Sequence, residues 1–300
     1  MLFLAAVGGC CILDGAPAPH PLSRWCQPDI APSELKTPIP FEELIKKFIA
    51  TAVDMLINDD ILTRETAKDA LGSELHPKLY PLLLAQLDTW AALIFSGDKS
   101  VLIVPRRVSS RLFDGSALVD WTEHSISIFV DQTISVLKLV FDRLESASEA
   151  THVAVDISHL LLQLARFLHD SSISSTTTRI KIRFCALCDS LFARADVYIL
   201  KKSAQVRNTL LDSIVQWVGV SPPQDLSTEQ DTFQRLQSEL DAACIKAATV
   251  LLDRLRLQPL DGSTGTDSGN AILRLFAKYL NFFVNAMERA TLFDVRTFLT

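Results

Sequence analysis

Ile126–Leu144, ISIFVDQTISVLKLVFDRL, decides the fold. Ile126, Val130, Ile134, Leu137, Phe141 and Leu144 follow at steps of four, four, three, four and three. Residues so spaced share one face of an α-helix, so the run predicts a long helix with a single apolar stripe. Downstream, Val153, Ile157, Leu160, Leu164 and Leu168 repeat the pattern, and the polar stretch Asp170–Thr178 reads as a connector to a helix starting near Arg179. Val206, Leu210, Ile214 and Trp217 mark the next helix, ended by Ser221, Pro222 and Pro223. Ser227 and Gln230 have the spacing of a capping box. They precede a long stripe of Phe233, Leu236, Leu240, Cys244, Ala247, Leu251 and Leu255. Beyond Pro259 and the loop Asp261–Gly269, a last helix carries Ile272, Phe276, Tyr279, Phe283 and Met287 on one side.

Upstream, helical signals run from Phe41 to about Asn58 and again from Arg64 to Leu71. Gly72 is expected to stop the second helix in the left-handed conformation. Pro77 occupies a first-turn position and opens a long helix to about Phe95. Residues 97–118 read as an irregular loop, because Pro105 follows the strand-prone Val101–Val104 without a partner. Residues 14–40 hold Pro17, Pro19, Pro21, Pro28, Pro32, Pro38 and Pro40, which deny the backbone helical donors.

These elements predict an all-α chain of about eight helices, neighbours antiparallel, each stripe buried against the next pair. That is the logic of a HEAT/armadillo-like α-solenoid, although no fixed-period repeat is visible, and a compact orthogonal bundle is the competing arrangement. The expected organisation is a truncated buried helix at 1–13, a Pro-rich linker at 14–40, a helical repeat segment at 41–290 and a truncated tail at 291–300.

Composition agrees. The 300 residues are 48% hydrophobic, with 10 Gly and 13 Pro, favouring helices over a turn-rich β protein. The 29 basic and 35 acidic residues give a net charge of −6, without the positive stripe a polyanion requires, so nucleic acid is not an expected partner. Mean hydropathy is high at +0.23, yet Gln86 and Asp88 interrupt the greasiest stretch, Leu79–Phe95, and no transmembrane span is expected. Met1–Cys11 lacks the positive region of a secretory signal. Cys10, Cys11, Cys26, Cys185, Cys188 and Cys244 form no dense framework, as expected of free, buried thiols in a reducing compartment.

The search for chemistry assigns no catalytic, cofactor-binding or metal residue. Cys185 and Cys188 form one CxxC on a predicted helix, without the second ligand pair of a zinc site or the βαβ context of a redox motif. They read as small apolar residues on a packed face, and a thiol enzyme or metal centre there is the minor reading. His20, His76, His124, His152, His159 and His169 show no metal-ligand spacing. Gly262–Gly269, GSTGTDSG, shares only composition with a phosphate loop. Arg106, Arg107 and Arg111 read as a solvated loop cluster, and Glu65 with Lys68 as a helix-surface pair.

Several segments resemble the neurofibromin family of Ras GTPase-activating proteins. They are LFLAAVGGCC (Leu2–Cys11), LGSELHPKLYPLLLAQL (Leu71–Leu87) and QTISVLKLVFD (Gln132–Asp142). Within Arg179–Val218 come IKIRFCALCDSLFARADV and QVRNTLLDSIVQWV, then LQPLDG (Leu257–Gly262) and LRLFAKYLNFFVNAM (Leu273–Met287). Their order matches the family's and they span nearly the whole chain. The resemblance implies the helical segment before the Ras-GAP domain, in a large cytoplasmic, homo-oligomeric protein peripheral to membranes. The start inside a family helix and the poor match from Thr291 point to a fragment or an incomplete gene model. Nothing resembles the family's arginine-finger loop or its Phe-Leu-Arg signature, so no catalytic residue carries over. The expected function is therefore a non-catalytic scaffold segment in negative regulation of Ras, with a Ras-family GTPase met only through the missing GAP domain. A free-standing helical adaptor for another protein is the alternative.

Overall fold

The computed structural model describes residues 41–95, 123–145, 153, 157–194, 204–219, 230–252, 273–274 and 276–285. Among them the chain is all-α: helices and one 3-10 turn, with no strand. The helices are α1 Phe41–Met55, α2 Ile61–Gly72, α3 Tyr80–Phe95, α4 Glu123–Arg143, α5 Ser158–Asp170, α6 Ser175–Arg194, α7 Ala204–Trp217 and α8 Gln230–Leu252. A further helical stretch, 276–285, is called α9. The expected features of 1–40, 97–118, Ser227, Pro259, Gly262–Gly269 and 291–300 lie outside the described residues.

The stripes read from the sequence are the buried faces. In α4, Val130, Ile134, Leu137 and Phe141 are buried, as is Leu144 just beyond it. In α5, Leu160, Leu164 and Leu168 are buried, and in α8 Leu240, Cys244, Ala247 and Leu251. These residues join one continuous core from Ile45 in α1 to Phe282 in α9.

Helix packing follows a rule. α1 packs on α3, α3 on α5 and α5 on α7, while α2 packs on α4, α4 on α6 and α6 on α8. Successive helices also touch in pairs, α1 with α2, α3 with α4, α5 with α6, and α7 with α8. The result is two rows of alternate helices with the core between and along them. α9 extends the odd row, because Lys278 Nζ donates to Asp212 Oδ1 on α7 at 2.7 Å and Tyr279 Oη donates to the same oxygen at 3.3 Å.

Capping explains where the elements begin and end. Asp60 accepts from the backbone N–H of Leu62 and Thr63 and from the Thr63 hydroxyl, which starts α2 earlier than its apolar pattern shows. The Thr63 hydrogen bonds hold the Asp60 carboxyl below its usual range. A depressed carboxylate stabilises the fold above its unfolded pKa and loses that contribution as pH falls through the folded value. Asp60→Ala is therefore expected to lower the urea midpoint at neutral pH, with the gap to the parent closing on acidification. A gap that widens in acid contradicts this cap.

Three expectations need correction. Asp170–Thr178 is not all connector, because the Ser174 hydroxyl accepts from Thr177 N–H at 3.1 Å and starts α6 at Ser175. Gly72 does not take the left-handed conformation. The helix does end at Gly72, as expected, but with Ser73 as the cap in the right-handed region. The positive-φ glycine among the described residues is Gly219, at φ 67° just past α7. Finally, Phe276 does not share the buried side of the last helix with Tyr279. It is exposed together with Leu273, Leu280 and Val284, whereas Tyr279 and Phe282 are buried.

The structure also adds to the membrane reading. The helix His124–Arg143 reaches the length and hydropathy of a crossing segment, with 50% of its window buried in the protein. Here α4 lies between α2 and α6 in the even row, which accounts for apolar surface on opposite sides.

Candidate functional site

The densest group of chemistry-bearing side chains lies where α6, α7 and α8 meet. Cys185 and Cys188, the CxxC pair, are both buried on α6, and Cys244 is buried on α8. The sulfur that Cys185 meets is not that of Cys188. It is Cys244 Sγ, at 3.8 Å across 59 residues of chain. The Cys185 contact and burial push the Cys244 thiol well up, and burial does the same to Cys188. High pKa values disfavour the thiolate that a nucleophile or a metal site needs.

Lys181, one helical turn before Cys185, is buried with its Nζ 5.4 Å from the centroid of the Trp217 ring. Burial draws this ammonium below the usual lysine range, an effect partly offset by the Cys244 and Cys185 sulfurs. The aromatic face supplies some of the solvation the charge has lost. Phe184 meets the same indole edge-on, at 5.8 Å and 74°. Trp217 thus holds the α6–α7 junction, and α8 closes its end: Gln237 Nε2 donates to the Trp217 carbonyl at 3.1 Å, and Asp241 Oδ1 accepts from Gly219 N–H at 3.1 Å. Terminal backbone groups of α7 are satisfied by side chains of its partner.

Ion pairs run along the rows. Asp131 on α4 takes Arg183 of α6 at 2.6 Å, and Asp189 on α6 takes Lys246 of α8 at 2.7 Å. In the odd row Asp88 on α3 and His159 of α5 share a hydrogen bond at 2.9 Å, and Asp212 on α7 takes Lys278 of α9 as an ion pair at 2.7 Å. In each the carboxylate sits on the earlier helix and the base on the later one. Exposed pairs contribute about 0–1 kcal/mol each, so their main effect is on the register of neighbouring helices.

Two of the histidines make polar contacts. His76 Nδ1 accepts from Lys78 N–H at 3.3 Å ahead of Pro77, His159 takes Asp88, and His124 and His169 are exposed. His20 and His152 lie outside the described residues, as do Arg106, Arg107 and Arg111. Glu65 and Lys68 form the expected surface pair. Among the described residues no three His, Cys, Asp or Glu side chains converge as metal ligands would. A shallow groove of about 200 Å³ between α7 and α9 is lined by Val215, Val218, Lys278, Asn281, Phe282 and Asn285.

Sequence reasoning missed two features. Cys244 was visible as a stripe residue of α8, but no local signal pairs it with Cys185. Arg207 and Asn208 are buried on α7, Arg207 Nε donating to Asn208 Oδ1 at 3.1 Å, where the pattern marks only Val206, Leu210 and Ile214. No family model matches this sequence.

Proposed function

We propose that this chain is a non-catalytic α-solenoid scaffold, the regulatory helical segment of a neurofibromin-like Ras GTPase-activating protein. The observation that supports it most is the alternation of partners along the chain, odd helices on odd and even on even. Stacked helical hairpins produce that order, because each hairpin buries its faces against the ones before and after it. The segments that resemble the family fall, in chain order, on several elements of this stack, with α5 carrying none. Leu71–Leu87 spans the end of α2, the 3-10 turn Pro77–Leu79 and half of α3, Gln132–Asp142 lies in α4, and Arg179–Val218 covers most of α6 and all of α7.

In this reading the work is mechanical. Stacked helices set where a GAP domain outside this chain sits relative to a membrane-bound Ras, in a cytoplasmic, homo-oligomeric protein that restrains Ras signalling. GAP chemistry requires an arginine delivered into the nucleotide site, worth on the order of 10³–10⁵ in rate. The purified chain is therefore expected to leave the rate of GTP hydrolysis by Ras at its intrinsic value in a single-turnover phosphate-release assay. Acceleration by tenfold or more defeats the non-catalytic reading. The family reading is tested by the genomic sequence after Thr300: a continuing frame with a Ras-GAP signature supports it, and a transcript ending at Thr300 favours the free-standing adaptor.

A further inference from the structure

We propose that Cys185 and Cys244 form a redox-sensitive fastener between α6 and α8, closed to a disulfide by a hydroperoxide and reopened by a dithiol. The two sulfurs are already in contact at 3.8 Å, and a disulfide needs about 2.05 Å, so closure asks each side chain to move about 1 Å. They sit on the two helices that share the most extensive interface among the described elements. Cys188, though nearest in sequence, is not the sulfur that Cys185 touches; its thiol also feels Cys244, but among the described residues the sulfur–sulfur contact is the one between Cys185 and Cys244.

The reaction balances. Each thiol gives up one proton and one electron as the sulfur–sulfur bond forms. The oxygen–oxygen bond of the hydroperoxide takes the two electrons and breaks, and with the two protons its halves leave as an alcohol and a water. With hydrogen peroxide both products are water. Reversal uses a dithiol, whose own sulfurs become the disulfide.

Burial sets the timing. Cys185 is 1% and Cys244 0% exposed, so a peroxide reaches them only when α8 opens from α6. The raised Cys244 thiol also slows attack while the helices are closed. The fastener therefore answers sustained oxidation and ignores a brief pulse. Once formed, it closes a loop of 59 residues and restricts the unfolded chain.

The test uses the full chain. Native protein is held in hydrogen peroxide, remaining thiols are alkylated, and the peptides of a non-reducing digest are mapped by mass. The expected major product joins the Cys185 and Cys244 peptides, two hydrogens lighter than their sum, and dithiothreitol releases it. The oxidised protein is expected to melt higher by on the order of 5 °C. Cys188→Ala is expected to keep the link. Linkage of Cys185 mainly to Cys188, Cys10, Cys11 or Cys26, recovery of both peptides unlinked after prolonged exposure, or an unchanged Tm each overturns the proposal. Cys185 and Cys188 share the peptide between Arg183 and Arg194, so fragmentation of the linked peptide from the unmodified chain assigns the sulfur, and a link carried by Cys188 to Cys244 also overturns the proposal.

Discussion

Phe184→Ala is expected to destabilise the chain by about 4 kcal/mol, the largest effect of any single truncation considered. Phe184 is fully buried in α6 and packs edge-on against Trp217 of α7. Its removal forfeits the transfer free energy of a benzyl group and leaves a hole that cannot fill cheaply. The Trp217 ring it meets is itself buried and held on α7, and buried residues on α6 and α7 such as Leu187, Leu210 and Ile214 are likewise fixed on helices. For a helical core of this size a loss of 4 kcal/mol corresponds to a fall in Tm on the order of 10 °C. Phe276→Ala is the matched control, since Phe276 is 56% exposed on α9 and its truncation is expected to stay within about 0.5 kcal/mol. Equal urea midpoints for the two variants contradict the packing described for α6.

The second large effect is at Gly72. An added Cβ there lies 2.7 Å from Leu139 Cβ and 2.8 Å from Leu139 Cδ1, where α2 crosses α4. Helix propensity alone makes Gly72→Ala favourable by up to about 1 kcal/mol. The close approach reverses the sign: Ala is expected to cost about 1–2 kcal/mol and Val about 3 kcal/mol, as overpacking of a tight crossing. The mechanism has its own signature in a double-mutant cycle. Leu139→Ala removes Cγ and Cδ1 but keeps Cβ, so it is expected to relieve Gly72→Ala only in part. Gly72→Ala with unchanged or raised stability contradicts the close crossing.

The two sites differ in how far the sequence discloses them. Phe184 is flanked by Ile180, Leu187, Cys188 and Leu191 at helical spacing, and the core role of that face follows from periodicity. Gly72 is different. A glycine after Leu71 has the local appearance of a helix terminator, and only the presence of α4 across it reveals why a side chain does not fit. The cysteines divide in the same way. Cys244 was legible as buried from the stripe of α8 and the CxxC pair as small apolar residues on a packed face, while the CxxC spacing drew attention to Cys188 and away from Cys244. Buried Arg207 and Lys181 gave no local signal, since each interrupts or borders an apolar run; Lys181 is accommodated by Trp217 of α7 and Arg207 by Asn208 beside it. Asp170–Thr178 was misread because a Ser174 cap has weaker sequence marking than the apolar stripe that starts after it.

Periodicity of apolar residues by itself determined that the chain is helical, which faces are buried, and roughly where most helices run. These properties depend on neighbours three and four positions away, within reach of any window along the chain. Which helix lies against which was decided only in three dimensions: the two alternating rows, the crossing at Gly72, the sulfur contact between Cys185 and Cys244, and the carboxylate-to-base pairs between successive row members. Apolar burial is non-directional and does not name its partner, so that choice falls to shape and hydrogen bonding between segments distant in sequence.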